Sequence, residues 1–187
     1  SYRPGYLQEA VANLRSAFEY HIEAGDTDRA LELAQTPLRT NPGERSGLAD
    51  ILGLALDIAP QDSSDRGHLL SIYGYVAAME NGDYPAADRA FEEAFEIARA
   101  NGDNTLLQLA LAQAGQVDLQ NMQGREGSKK SVAVLTMSVD NLESSTECAA
   151  RYVSGMCGFM NGEPSASKSS EISSNPPKSL ATAFGCM

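Results

Sequence analysis

Gly82-Asp83-Tyr84-Pro85-Ala86-Ala87-Asp88-Arg89-Ala90-Phe91-Glu92-Glu93-Ala94-Phe95-Glu96-Ile97-Ala98 decides the fold. Glycine enters the left-handed cap conformation without a Cβ penalty, so Gly82 closes one helix. Asp83 caps the next, and Pro85 is tolerated in a first turn where no i→i−4 partner exists. Ala87, Phe91 and Ala94 recur at +4 and +3, which places them on one helical face. Small residues let two helices approach, and the phenyl ring fills the space beside them. The stretch is the second half of a helix–turn–helix pair.

Gly-x-Tyr-x-x-Ala-x-x-x-Phe-x-x-Ala resembles the second-helix signature of the tetratricopeptide repeat (TPR). Three echoes accompany it. Gly25-Asp26-Thr27-Asp28-Arg29-Ala30 is followed by Ala34 and Pro37 at the same spacing. Gly124 precedes Ser128, Val132 and Leu135, and Gly155 and Phe159 precede Asn161-Gly162-Glu163-Pro164. Gly82, Gly124 and Gly162 lie 42 and 38 residues apart (82 to 124, 124 to 162). That exceeds the usual TPR period of about 34 and falls in the range of helical-pair repeats. Gly25 to Gly82 is 57, which fits neither one period nor two.

Outward from this stretch, the rest of the chain reads as helix. Expected helices run over residues 6–24, 27–35, 46–59, 64–81, 83–100, 104–123 and 142–161. The third of these, with Leu48, Ile51, Leu52, Leu54, Leu56 and Ile58, is apolar on most sides and is expected to be well buried. Val132, Val134, Leu135 and Val139 alternate in a way that also suits a strand; helix is preferred because no second strand candidate lies nearby. Turns are expected near Gly25, Gly82, Gly102, Gly124 and Gly162. The fold class expected is all-α, with antiparallel helix-pair repeats forming a short right-handed α-solenoid over residues 1–172. Beyond a serine-dense run, residues 173–187 are expected to form a poorly ordered tail.

Composition narrows the function. The net charge of −11 repels nucleic-acid phosphate and anionic membrane surfaces. No apolar run reaches the about 18 residues of a membrane-spanning helix. The three cysteines, Cys148, Cys157 and Cys186, form no disulfide framework and suit a reducing, cytoplasmic setting. The chain opens Ser1-Tyr2-Arg3-Pro4 without an initiator Met, which reads as part of something longer.

Candidate chemistry is sparse. Gly124-Arg125-Glu126-Gly127-Ser128-Lys129-Lys130-Ser131 places Lys129 where a phosphate loop needs its second glycine, and no buried strand precedes it. His21 and His68 each lack a companion at metal-ligand spacing. Cys148 and Cys157 are nine apart, unlike a redox or zinc pair. Ser154-Gly155 lacks the glycine of a nucleophile elbow. Glu92, Glu93 and Glu96 with Arg89 and Arg99 suit a solvated helix face, Arg89–Glu93 being an i,i+4 pair. No cofactor, metal or catalytic set is expected.

The phrases Glu23-Ala24-Gly25-Asp26-Thr27-Asp28-Arg29-Ala30, Glu80-Asn81-Gly82-Asp83-Tyr84 and Glu96-Ile97-Ala98-Arg99-Ala100-Asn101-Gly102-Asp103 carry a wider resemblance. Over residues 6–165 the chain is similar to degenerate TPR arrays of large bacterial signalling and transcriptional regulators, of the LuxR/MalT type or cyclase-linked. The chain departs from that pattern in having no Trp and a serine-rich final helix. The resemblance implies a non-catalytic sensor or interaction module without ATP-binding or DNA-binding parts of its own. Its partners would be a peptide, a protein, a regulatory small molecule, other domains of the same longer chain, or a second copy. In such pairs the first helices line the concave side. Candidate contact residues there are Tyr73, Ala77 and Glu80, with Gln113, Gln116 and Asn121, offering flat aromatic area, donors and acceptors. The alternative is a helical enzyme or ligand-binding domain whose site assembles from residues distant in sequence.

Overall fold

The computed structural model describes residues 6–38, 42–137 and 144–160, and all regular structure in them is helical. The elements are α1 (Tyr6–Glu23), α2 (Thr27–Ala34), α3 (Leu48–Ile58), α4 (Ser64–Asn81), α5 (Tyr84–Asn101), α6 (Asn104–Gln120), α7 (Gly124–Thr136) and α8 (Ser144–Met160). Residues 124–136 are thus helix, the preferred of the two readings. The turn expected at Gly162 and the tail over 173–187 lie outside the described residues.

Capping residues set the helix starts. The side chains of Asp26, Ser63, Asp83 and Asp103 each accept a hydrogen bond from the backbone N–H three residues on. That satisfies one of the amides a helix leaves open at its N-terminus. Gly25, Gly82 and Gly102 turn the chain with φ of 75°, 66° and 64°. Gly124 does not. Met122 takes the left-handed conformation instead, at φ 60°, and Gly124 becomes the first residue of α7. The expected turn at Gly124 is therefore displaced by two residues.

Packing is local along the chain. Each helix touches the next, α4 with α5 and α6 with α7 most extensively. The even-numbered helices also touch in succession, α2 to α4, α4 to α6 and α6 to α8. Of the odd-numbered helices, only α1 and α3 touch each other, and among the described residues no helix touches one more than two places away.

Small residues make the closest crossings. A Cβ on Gly74 of α4 would lie 3.1 Å from the carbonyl oxygen of Ala87 and 3.2 Å from the Phe91 ring. A Cβ on Gly127 of α7 would lie 2.9 Å from the carbonyl oxygen of Gly115 in α6. The buried positions Ala87, Phe91 and Ala94 of α5 recur in α7 as Gly127, Ser131 and Val134, each 40 residues on (87 to 127, 91 to 131, 94 to 134). Leu48, Leu52 and Ala55 of α3 hold the same pattern 39 residues earlier (48 to 87, 52 to 91, 55 to 94). The expected trio Ser128, Val132 and Leu135 is therefore one residue out of phase, and Val132 stands 49% exposed.

Two large apolar clusters carry most of the core, and a small third joins α6, α7 and α8 at Ala112, Val134 and Ala150. The first joins α1, α2, α3 and part of α4, through Phe18, Leu31, Leu52 and Leu69. The second joins α4, α5 and α6 around Phe91, Phe95, Leu106 and Val117. Phe91 and Phe95 stack with centroids 6.4 Å apart, and the Arg99 guanidinium lies over Phe95 at 5.6 Å. The expectation of a well-buried α3 holds for Leu48, Ile51, Leu52 and Ala55 but not for Leu54 and Ile58, 43% and 38% exposed, because among the described helices α3 packs on α2, α4 and the edge of α1 alone.

Phe91 is 2% exposed at the centre of the second cluster. Phe91→Ala is expected to cost about 3–5 kcal/mol, the range for emptying an aromatic core position. Urea titration followed by circular dichroism measures it; a variant that unfolds with the parent would contradict the packing role.

Candidate functional site

The six residues singled out from sequence do not form one open face. Ala77 is buried, at 3% exposure. Glu80 is buried too, at 5%: its carboxylate accepts hydrogen bonds from the Ser46 amide at 2.8 Å and the Ser46 hydroxyl at 2.7 Å, tying the approach to α3 onto α4. Neither side chain stands exposed. Tyr73 is half-buried and packs between the two apolar clusters. Gln113 accepts a hydrogen bond from Ser71 Oγ at 2.5 Å, bridging α6 to α4. Asn121 is the C-cap of α6. Gln116 is half-buried on α6.

The contacts assign the faces of the even helices. On α4, Gly74 faces α5, Ser71 faces α6, and Leu69 and Val76 face the first cluster. At 100° per residue, the arc between these faces holds His68, Tyr75, Ile72 and the buried Met79, with Ile72 packed on the first cluster and Tyr75 on the second. On α6, Asp118 and Gly115 face α7, Gln113 and Leu106 face α4, and Ala112 joins the cluster with α7 and α8. The corresponding arc there holds Leu109 and Gln116. His68, Tyr75, Leu109 and Gln116 are all half-buried. His68 and Leu109 are 41 residues apart, as are Tyr75 and Gln116 (68 to 109, 75 to 116), so equivalent positions of successive helices line one strip. The sequence reading named Tyr73, because a 3.6-residue period alone does not fix which side of α4 a given position takes.

An apolar slot lies between α1 and α3. Phe18, Ile22, Leu54 and Ile58 line a cavity of about 250 Å³ between α1 and α3, with Glu19 and Glu23 at its edge. Glu19 pairs with Arg15 at 3.7 Å.

Ionisable groups cluster where α6, α7 and α8 meet. Asp118 is 3% exposed and accepts a hydrogen bond from Lys130 Nζ at 2.7 Å. Burial pushes its carboxyl above the ordinary carboxylate range, and the Lys130 ammonium pulls it part of the way back. Cys157 is fully buried, and burial followed by the Asp118 charge pushes its thiol up, away from the nucleophilic thiolate. Among the described residues no three His, Cys, Asp or Glu side chains could hold a metal ion. His21 Nδ1 lies 3.3 Å from Asp26 Oδ2, and His68 Nδ1 lies 3.0 Å from the Ser64 carbonyl of its own helix. No described helix is long and apolar enough to cross a membrane.

Lys130→Met leaves the Asp118 carboxyl buried without its ammonium and is expected to cost about 3 kcal/mol at neutral pH. A carboxyl raised in the folded state favours folding below its unfolded pKa, and that contribution is lost as pH rises through the folded value. The Lys130→Met deficit should therefore shrink in acid, where Asp118 is protonated and needs no cation. Denaturant titrations of parent and variant at acid and neutral pH check this; a deficit independent of pH would contradict it.

No family model, curated protein or solved structure matches the chain.

Proposed function

We propose that the chain is a non-catalytic binding scaffold: a TPR-like array of antiparallel helix pairs whose even-numbered helices present a strip to an extended peptide or protein segment. One observation carries this reading. The even helices touch in unbroken succession, while α3, α5 and α7 do not touch one another. A row packed tightly on one side and splayed on the other curves toward the packed side, as helical-pair solenoids do. The even helices then line the hollow.

The strip has the chemistry for that task. Tyr75 offers flat area with a hydroxyl, Leu109 an apolar surface, and Gln116 both a donor and an acceptor. These groups suit backbone recognition of an extended chain, from a separate partner or from other domains of a longer chain. The net charge of −11 disfavours direct nucleic-acid contact. A role as the interaction part of a bacterial regulator, in the cytoplasm, accords with the sequence resemblance.

A displayed library of unstructured peptides, selected on the full chain, tests the proposal. Selected peptides should bind about tenfold or more weakly to a Tyr75→Ala, Gln116→Ala variant, a loss of about 1.4 kcal/mol or more. They should bind unchanged to Asp88→Ala, which alters an exposed position of α5. Equal binding to both variants, each with an intact helical spectrum, would remove the strip from consideration.

A further inference from the structure

We infer that Ser71 is a positioning residue for the proposed strip: its hydroxyl turns the Gln113 amide so that the Nε2 donors face the strip and hold an amide carbonyl of the ligand. The inference rests on the peptide-binding reading and adds the group that does the holding. Ser71 lies on α4 three residues after His68 and four before Tyr75, and Gln113 lies on α6 four after Leu109 and three before Gln116. Residues three and four apart are neighbours on a helix surface, so the bonded pair sits between the strip's four residues, where α4 and α6 meet.

The hydrogen bond sets the polarity of that centre. Ser71 is fully buried, and its Oγ donates to Gln113 Oε1 at 2.5 Å. With the amide oxygen held on α4, the two N–H groups of the same amide point away from Ser71. On the core side of Gln113, Ala110, Ala114 and Val117 are buried in the second apolar cluster. A donor turned there would lose its water without gaining a partner, so the nitrogen belongs on the strip side. Gln108, five residues earlier on the same helix, gives the contrast. It is buried, and its Nε2 donates to the Val134 and Met137 carbonyls. Gln113 is half-buried, and among the described residues its Nε2 donates to none. Two donors of fixed direction call for an acceptor on the ligand. The net charge of −11, with Arg66 engaged by the Leu56 carbonyl and Glu93, disfavours a carboxylate. A neutral amide carbonyl, which an extended peptide presents at every residue, is the group that fits.

Peptides selected on the full chain are the probes. Gln113→Glu keeps an acceptor for Ser71 and removes both donors; it should weaken those peptides about tenfold or more with an intact helical spectrum. Ser71→Ala leaves the amide free to rotate and should weaken them about threefold or more. In the isotope-labelled parent, the side-chain N–H resonances of Gln113 should shift when peptide is added, a change that a merely structural bridge between α4 and α6 would not show. If Gln113→Glu loses its helical spectrum, Ser71→Ala and the resonances decide. Peptides that lose affinity for the Tyr75→Ala, Gln116→Ala variant, yet bind the folded Gln113 and Ser71 variants like the parent or leave the Gln113 resonances in place, would overturn the inference and leave the strip standing. A library that yields no strip-dependent peptide would overturn both.

Discussion

The absence of a side chain where two helices cross is the constraint on which the rest of the structure depends. At Gly74 and Gly127 the neighbouring backbone sits where a Cβ would stand, 3.1 Å and 2.9 Å away. Contact that close lets Phe91, Phe95 and Leu106 bury almost completely beside the crossing instead of holding the helices apart. Ordinary helix packing leaves axes about 8–10 Å apart, set by the side chains between them, and glycine and alanine bring the pair to the near end. Gly67 extends the device to α6: a Cβ there would lie 2.4 Å from Leu106 Cδ2.

Polar side chains hold the crossings in register. Arg66 donates to the Leu56 carbonyl at the end of α3 and pairs with Glu93 of α5 at 2.9 Å, so one guanidinium links three helices. Gln108 donates to the Val134 and Met137 carbonyls at the end of α7. Each satisfies carbonyls that a helix end would otherwise leave open. Glu80 with Ser46 and Asp118 with Lys130 complete a set that ties the even row to its neighbours. These groups are occupied in holding the array; the strip proposed to meet a ligand is drawn from His68, Tyr75, Leu109 and Gln116, all half-buried.

Much of the fold was legible in the sequence, because caps and periodicity are local. Ser63, Asp83 and Asp103 announce their helices, and the limits read for α4, Ser64 to Asn81, are those observed. What failed was phase. Gly124 resembled Gly82, but Met122 took the left-handed turn, and counting from the wrong residue moved the buried trio of α7 by one. The comparison of Gly25 with Gly82 gave an unusable spacing because the two turns are of different kinds. Gly25 leads into an even helix, as Gly102 does, and those two lie 77 apart (25 to 102), close to two periods. The candidate site was legible only in outline. Glu80, late in a helix and followed by Asn81-Gly82, reads as solvated, and nothing local reveals Ser46, 34 residues away, as its partner. Of the six, Gln116 is the one that also belongs to the proposed strip.

The account stands most directly on a pair of glycine substitutions. Glycine to alanine in a helix ordinarily gains about 1 kcal/mol from propensity. Gly53 of α3 has no described atom within 4 Å of a Cβ, whereas a Cβ on Gly127 meets the Gly115 carbonyl at 2.9 Å. Unfolding free energies of Gly53→Ala and Gly127→Ala, measured by urea titration, should therefore move in opposite directions, the first stabilised and the second destabilised. Equal stabilisation of both would mean that the helices are not held at these notches, and the architecture built on them would fall.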